Sequence, residues 1–106
     1  MKELTRIEEI LLLAIWRLQD EAYGVKIRQH VSEVLKKEFT YGNLYSALDQ
    51  LAQKQFVTKT IGGPVPSRRG RSRIYYKISP QGAKALKASR ELQETLWADI
   101  PKTAFS

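Results

Sequence analysis

The sequence GGPVPSRRGRSRIYYKI occupies residues 62–78 and joins a Gly/Pro-rich segment with four arginines to a β-branched and aromatic run. The Gly and Pro residues predict a loop, and the run from Ile74 to Ile78 is typical of a strand. Ten of the chain's 18 Lys and Arg lie between Asp49 and Glu91, and none of its 11 acidic residues do. A cationic loop tied to a strand is suited to gripping a phosphate backbone.

Composition sets the limits for any function. At 106 residues the chain can form one domain with a modest core, but not a deep enzyme cavity. Its net charge of +7 favours a polyanionic partner. It has no cysteine, which excludes disulfides and thiolate metal sites. The N-terminal residues lack the layout of a signal peptide, and no apolar run could span a bilayer, so we expect a cytoplasmic protein with no membrane partner.

The segment upstream of residue 20 predicts a helix from about Thr5 to Leu18. Thr5 with an acidic residue three positions later is typical of a capping box. Leu12, Leu13 and Trp16 lie off the main apolar stripe of this helix. A helix that is apolar around most of its circumference is buried on more than one side. We therefore expect its second apolar side to face another subunit.

Two further helices follow. The second is predicted from about Tyr23 to Lys37, and Arg28 is expected to lie mostly off its core face. That core face consists of Ile27, Val31, Val34 and Leu35. Thr40 is the predicted N-cap of the third helix. The third helix is expected to bury Leu44, Ala47, Leu48 and Leu51 and to expose a polar, weakly charged face.

The chain is expected to close with a hairpin and a long helix. Strands are predicted at Phe56–Ile61 and Arg73–Ile78, and Ser79 with Pro80 is typical of a helix start. The last helix is predicted to run to about Ile100. With no core of its own left to cover, its apolar side is expected to dock on the first helix, most plausibly that of a second subunit.

The predicted fold is mainly α with a small β-hairpin. Residues 1–79 are expected to form a winged helix-turn-helix domain, with three helices plus a wing, that binds DNA. Residues 80–106 are expected to form a long C-terminal dimerisation helix and tail.

Three motifs in this order resemble the PadR-like family of transcriptional regulators. They are YG at residues 23–24, GNLYSALDQL at 42–51 with FV at 56–57, and GRSRIYYKIS at 70–79. The single short C-terminal helix is similar to that of the small subgroup of the family. The resemblance implies a homodimeric bacterial DNA-binding regulator, usually a repressor and often ligand-responsive. Residues 62–67 depart from the family pattern, because they make a longer and more proline-rich wing.

The third helix and the wing supply the expected DNA contacts. Asn43 and Ser46 suit base edges, whereas tyrosine hydroxyls and first-turn N–H groups suit phosphates. Arginines of the wing suit phosphates or a narrow minor groove. The alternatives are a solvated polar face and a solvated charge run. The expected DNA-binding residues are Tyr23, Tyr41, Gly42, Asn43, Tyr45, Ser46, Arg68, Arg69, Arg71 and Arg73.

Surplus apolar residues of the first and last helices predict the dimer interface. Its expected residues are Leu12, Leu13, Trp16, Leu92, Leu96, Trp97 and Ile100. Trp16 and Trp97 either form the core of that interface or line a flat pore between subunits for a small aromatic effector. The interface core is the favoured interpretation. Some small members of the family bind planar aromatic drugs in the second way, so the resemblance keeps the pore as an alternative. No metal site and no cofactor are expected.

The sequence therefore predicts a dimeric, sequence-specific transcriptional regulator of double-stranded DNA. The resemblance implies that this regulator is a repressor. The alternative is a winged-helix module that binds RNA or a protein partner. RNA recognition favours exposed aromatic platforms, whereas most aromatics here are expected at packing positions. An enzyme is not expected, because the sequence contains no paired carboxylates on one face, no metal cluster and no Gly-rich phosphate turn.

Overall fold

The computed structural model describes residues 3–64 and 72–106. The described elements are α1 Arg6–Leu18, α2 Gly24–Leu35, α3 Tyr41–Gln53, β1 Val57–Pro64, β2 Ser72–Ile78 and α4 Pro80–Trp97. A short 3-10 turn, Gln19–Glu21, joins α1 to α2. This is a mainly helical winged helix-turn-helix followed by a C-terminal helix, and the predicted fold class is confirmed.

Hydroxyl side chains fix where three of the helices begin. The Thr5 hydroxyl accepts the Glu8 N–H at 3.2 Å, while the Thr5 N–H donates to the Glu8 carboxylate at 2.8 Å, which completes the predicted capping box. Thr40 caps α3 through the Asn43 N–H at 3.1 Å. Ser79 caps α4 with Pro at the first helical position. Each cap satisfies an N–H group that the helix itself leaves unpaired.

One apolar core joins the helices and the hairpin. The predicted stripe of α3 is confirmed, because all four of its residues are buried. Val34 was expected in the core but is 54% exposed. It lies in the last turn of α2 beside an open groove shared with Ile7 and Ile10, so this end of the helix has no neighbour to cover it.

Leu12 also lies elsewhere than expected. It is 0% exposed and belongs to the core of its own chain, so it has no surface to offer a second subunit. The reason is that α1 is the central helix: it contacts α2, α3, β2 and α4. Leu12 is therefore covered within its own chain and no longer belongs to the expected interface residues, whereas Leu13 and Trp16 are exposed.

The hairpin is attached to the helices at both ends. β1 and β2 are antiparallel, with Val57 opposite Ile78 and a bulge between Ile61 and Pro64. The Tyr76 N–H donates to the Ala22 carbonyl at 2.9 Å, so the turn before α2 adds a one-residue third strand. Ordinary antiparallel pairing and this extra bond together fix the base of the wing.

At the other end, Ser79 fastens the hairpin to the start of α4. Its hydroxyl donates to the Gln55 carbonyl at 2.6 Å, and its N–H donates to the Phe56 carbonyl at 3.0 Å. Gly82 lies so close to the Phe56 carbonyl that a Cβ would not fit. The glycine therefore permits the first turn of α4 to lie directly against the chain entering β1.

The two halves of α4 have different surroundings. Ala85 is buried, and the Ser89 hydroxyl donates to the Glu9 carboxylate of α1 at 2.8 Å. We expected the apolar side of this helix to dock on the first helix of a second subunit, but its first half packs on α1 of its own chain. The second half has little cover from its own chain, because Leu92, Leu96 and Trp97 are each more than half exposed.

The helix also ends sooner than predicted. α4 stops at Trp97, and Asp99 has a positive φ of 65°, so Ile100 lies beyond the helix. Within the described ranges, no helix is long and apolar enough to cross a bilayer.

Candidate nucleic-acid interface

The N-terminal half of α3 presents one continuous polar face. Because its apolar stripe is buried against the core, the opposite side of the helix is turned outward. The residues on this outward side that were expected to contact DNA are all exposed: Tyr41, Gly42, Asn43, Tyr45 and Ser46. The structure therefore brings together five of the ten predicted residues.

Two tyrosines of this face are held by α2. Tyr41 and Tyr45 stack with ring centroids 6.3 Å apart and planes inclined by 17°. The Tyr45 hydroxyl lies against Gly24, where a Cβ would not fit. The Arg28 guanidinium lies 4.4 Å from the centroid of the Tyr41 ring. Residues 24 and 28 of α2 thus meet residues 45 and 41 of α3, and the two contacts are one helical turn apart on each helix.

Arg28 also reaches the segment that leads into α3. Its Nη1 donates to the Phe39 carbonyl at 3.2 Å and lies 3.8 Å from the Glu38 carboxylate. The sequence analysis placed Arg28 off the core face and gave it no role. The signal that could have found it is the matched spacing of four residues between Gly24 and Arg28 and between Tyr41 and Tyr45.

At the base of the wing, Arg73 lies on Tyr23. The guanidinium is 4.2 Å from the centroid of that ring, and the ring meets Tyr75 edge-on at 5.5 Å. Tyr23 is only 9% exposed, so it supports Arg73 from below and offers little surface of its own to DNA. Its expected contact with DNA stays a prediction, and the structure shows its ring as the surface on which the Arg73 guanidinium lies.

Three of the predicted wing arginines, Arg68, Arg69 and Arg71, lie outside the described residues. Their contacts with a phosphate backbone stay a prediction. Arg73 is the predicted wing arginine whose place the structure gives, on β2 beside the start of α2.

Two acidic side chains near the outward face of α3, Glu38 and Asp49, each lie 3.8 Å from a basic nitrogen. Asp49 is the acidic residue of this helix, and its carboxylate lies 3.8 Å from Lys59 Nζ on β1. Beneath α3, burial raises the pKa of the Tyr76 hydroxyl, and the neighbouring Tyr45 and Asp49 add to the effect. Tyr76 is therefore neutral at physiological pH and adds no charge to this surface.

Behind the interface, an ion pair fastens the end of α3 to α1. Lys54, the C-cap of α3, lies 2.8 Å from the carboxylate of Glu8, which is 1% exposed. Burial alone would raise the pKa of Glu8, but hydrogen bonds from Lys54 and Thr5 and the charge of Lys54 outweigh it, so that pKa is lowered. Lys54 also donates to the Glu3 carbonyl at 3.1 Å.

The residues expected at a dimer interface are exposed, apart from Leu12. Leu13 and Trp16 of α1 are 45% and 62% exposed. The corresponding fractions for Leu92, Leu96, Trp97 and Ile100 are 57%, 60%, 56% and 41%. Six of the seven expected residues therefore present apolar surface to solvent.

The two tryptophans have separate surroundings within one chain. Trp16 lines a shallow cavity of 260 Å³ beside Tyr76 and Ile78. Trp97 meets Phe105 edge-on, with ring centroids 6.2 Å apart.

Within residues 3–64 and 72–106, no group of three His, Asp or Glu side chains is arranged to hold a metal ion.

Comparison with known proteins agrees with this geometry. Residues 11–88 match the family described as "Transcriptional regulator PadR-like family". The matched stretch begins inside α1 and ends inside α4, so it contains α2, α3 and the whole hairpin. No curated protein matches the sequence.

Several solved structures have the same fold. RosR of H. salinarum is 22% identical with a TM-score of 0.72, and the match covers 94% of this chain and 83% of that one. A transcriptional regulator from Clostridium thermocellum is 24% identical with a TM-score of 0.68, over 86% of this chain and 85% of that one. A PadR family transcription regulator from Clostridium difficile is 24% identical with a TM-score of 0.64, over 84% and 88%.

Proposed function

Because this chain belongs to the PadR-like family of transcriptional regulators, we propose that it is a dimeric, sequence-specific DNA-binding protein that represses transcription. The observation that carries the proposal is the exposed face of α3 beside Arg73. The helix offers short polar side chains for base edges, and the wing offers a guanidinium for the backbone. Proteins of this family are regulators, and we propose no catalytic role.

The arrangement of the two elements supports different roles at the interface, with base contacts from α3 and a backbone contact from β2. Asn43 and Ser46 lie near the N-terminal end of the helix, the end that enters the major groove in helix-turn-helix proteins. An asparagine amide can pair with both hydrogen-bonding groups of adenine in that groove. Arg73 on β2 would grip the backbone and supply affinity that depends on salt but not on sequence.

A homodimer is part of the proposal. The exposed half of α4 and the exposed residues Leu13 and Trp16 of α1 supply the apolar surface that a second copy would cover. In this arrangement residues 1–79 bind DNA and residues 80–106 join the subunits, as in the small subgroup of the family. A two-fold dimer would place two recognition helices about 34 Å apart, one turn of DNA.

A small aromatic effector would relieve repression in this scheme. The exposed indoles of Trp16 and Trp97 offer flat surfaces for a planar ring once two chains meet. Such a ligand would act only by binding one separation of the two DNA-binding heads more tightly than another. The protein would work in the cytoplasm, on chromosomal DNA.

Binding to a mixed-sequence duplex across a salt series, followed by selection from a random duplex pool, tests this function. We expect a steep salt dependence and an enriched two-fold symmetric sequence. A steep dependence without an enriched sequence would reduce the proposal to non-specific binding. No binding at low salt would overturn it, and tighter binding to RNA in competition would point to an RNA-binding module.

A further inference from the structure

Two arginines near the outward polar face of α3 each lie on the ring of a tyrosine. Arg73 lies on the ring of Tyr23 at 4.2 Å, and Arg28 lies on the ring of Tyr41 at 4.4 Å. Both also have an Nε that is shielded from solvent and has no hydrogen-bond partner among the described residues. Arg73 was expected at the interface from the sequence, whereas Arg28 was not.

Two contacts fix the position of Arg28, and a third hydrogen bond holds one of its partners. Its Nη1 donates to the Phe39 carbonyl at 3.2 Å, and its guanidinium is covered on one face by Tyr41. The Phe39 N–H in turn donates to the Ser32 hydroxyl of α2 at 3.0 Å. The guanidinium is therefore held at the entry to α3 before any ligand arrives, which lowers the conformational entropy lost on binding.

Arg28 retains unused hydrogen-bonding capacity. A guanidinium has five N–H donors in a planar fork, and the carbonyl of Phe39 accepts from one of its nitrogens. The nearest carboxylate, Glu38, is 3.8 Å from Nη1, which is too far for a good hydrogen bond. The Arg28 side chain is 27% exposed, so an incoming anion can reach it.

Glu38 marks where an anion is favoured. Its side chain is 82% exposed and carries the negative charge closest to the guanidinium. An exposed pair of this kind is held weakly, so exchange of the carboxylate for a phosphate costs little. Two phosphate oxygens can accept hydrogen bonds from the planar guanidinium at once, whereas the Glu38 carboxylate makes only one distant contact.

We propose that Arg28 is a phosphate-binding residue of the DNA interface: Tyr41 holds its guanidinium at the entry to α3, where it exchanges Glu38 for a phosphate of the DNA backbone. The proposal rests on the DNA-binding function proposed above. It assigns α2 a direct part in binding, and it gives Tyr41 a second role as the support of an arginine.

The test compares four variants on one fluorescently labelled mixed-sequence duplex of about 30 base pairs, three turns of DNA, across a potassium chloride series. For Arg28→Ala, the slope of log affinity against log salt should fall by about 0.9 for each protein chain bound. Arg28→Lys keeps the charge but loses the planar fork, so its affinity should lie between those of Arg28→Ala and the wild type. Glu38→Gln removes the competitor and should tighten binding about two- to five-fold.

The matched control is Arg90→Ala on α4. Arg90 is also paired with a glutamate, Glu94, at 3.1 Å, but it is 84% exposed and lies on α4, which is not part of the proposed DNA-binding face. Its salt slope should equal that of the wild type. Thermal unfolding of every variant separates a loss of stability from a loss of contact.

The outcomes distinguish this proposal from the proposed function. If the wild type binds duplex DNA steeply and Arg28→Ala keeps the wild-type slope while only unfolding earlier, Arg28 is a structural brace and the proposal is wrong. Unchanged or weaker binding by Glu38→Gln, a variant that leaves the stacked arginine intact, would also overturn it. Failure of the wild type to bind any duplex would overturn the DNA-binding function itself, and this proposal with it.

Discussion

Glu8 is a charged side chain with almost no exposed surface, and the positive charge of Lys54 offsets the cost of burying it. Removing one partner of a buried pair leaves an uncompensated charge in an apolar region. The lowered pKa of Glu8 means that the pair stabilises the fold above the unfolded-state value near 4.5. This contribution is lost as the pH falls through that value toward the folded pKa.

Lys54→Met should lower the free energy of unfolding by about 3 kcal/mol at pH 7, because Glu8 then stays buried without its counter-charge. In this variant burial dominates and raises the pKa of Glu8, so the loss should shrink as the pH is lowered toward 4. Urea denaturation at several pH values measures it. The control is Glu8→Gln with Lys54→Met, which removes both charges and should recover most of the loss. A loss that is the same at every pH would contradict this account.

Two glycines in the first turns of helices offer a matched comparison. Gly82→Ala should destabilise the protein by about 1–3 kcal/mol, because its new Cβ would collide with the Phe56 carbonyl and force backbone to move. Gly42→Ala meets nothing within 4 Å and should stabilise α3 by about 0.5 kcal/mol. Thermal unfolding of the two variants measures both effects. Equal behaviour would mean that Gly82 can shift freely.

At the scale of elements, α3 and the hairpin would carry different parts of the proposed DNA interface. The outward face of α3 holds side chains that can discriminate between bases, and β2 holds a cation that cannot. The two are kept in register because β2 bonds to the turn before α2, and α2 holds the tyrosines of α3. A substitution on α3 should therefore change which sequences are preferred, whereas a substitution on β2 should change the affinity for all sequences.

Asn43→Ala should relax the preference at one base position, with a loss of about 1–3 kcal/mol on the best sequence and little change on others. Arg73→Ala should weaken binding to all sequences and lower the salt slope by about one for each chain bound. Selection from a random pool, with a salt series on the selected duplex, separates the two effects. If both variants lose affinity in the same pattern, the assignment of roles is wrong.

For the whole molecule, the most prominent feature is α4, whose second half is not covered by the apolar core of its own chain. The first half of α4 packs on α1, and its second half leaves four large apolar side chains exposed within and just beyond the helix. Such a surface is characteristic of an interface, because contiguous exposed apolar area is costly in water. A second copy of the chain offers the same surface and can bury it symmetrically.

Leu96→Asp should convert the proposed dimer into a monomer, because it places a charge in the middle of the surface to be buried. Sedimentation equilibrium measures the change, and DNA affinity should fall with it because two heads no longer bind together. Thr95→Asp adds the same charge on an exposed neighbouring position and should leave the assembly intact. A wild-type chain that sediments as a monomer would contradict the dimer.

Local signals in the sequence were sufficient for most of the fold. Thr5, Thr40 and Ser79 are short-range caps whose chemistry does not depend on distant contacts, and each starts the helix it was expected to start. The stripe of α3 was equally clear, since its four apolar positions have no other arrangement that buries them together. The polar face of α3 follows from the same periodicity.

Tertiary contacts decided the rest. Leu12 was expected at a subunit interface and Val34 in the core, yet Leu12 is covered by the elements around α1 and Val34 is exposed beside a groove. The contacts of Arg28 with Tyr41 and of Arg73 with Tyr23 join different elements of the fold. The sequence by itself determined which faces are apolar, because periodicity is local; only the folded chain determined which are covered, because burial depends on residues far apart in the sequence.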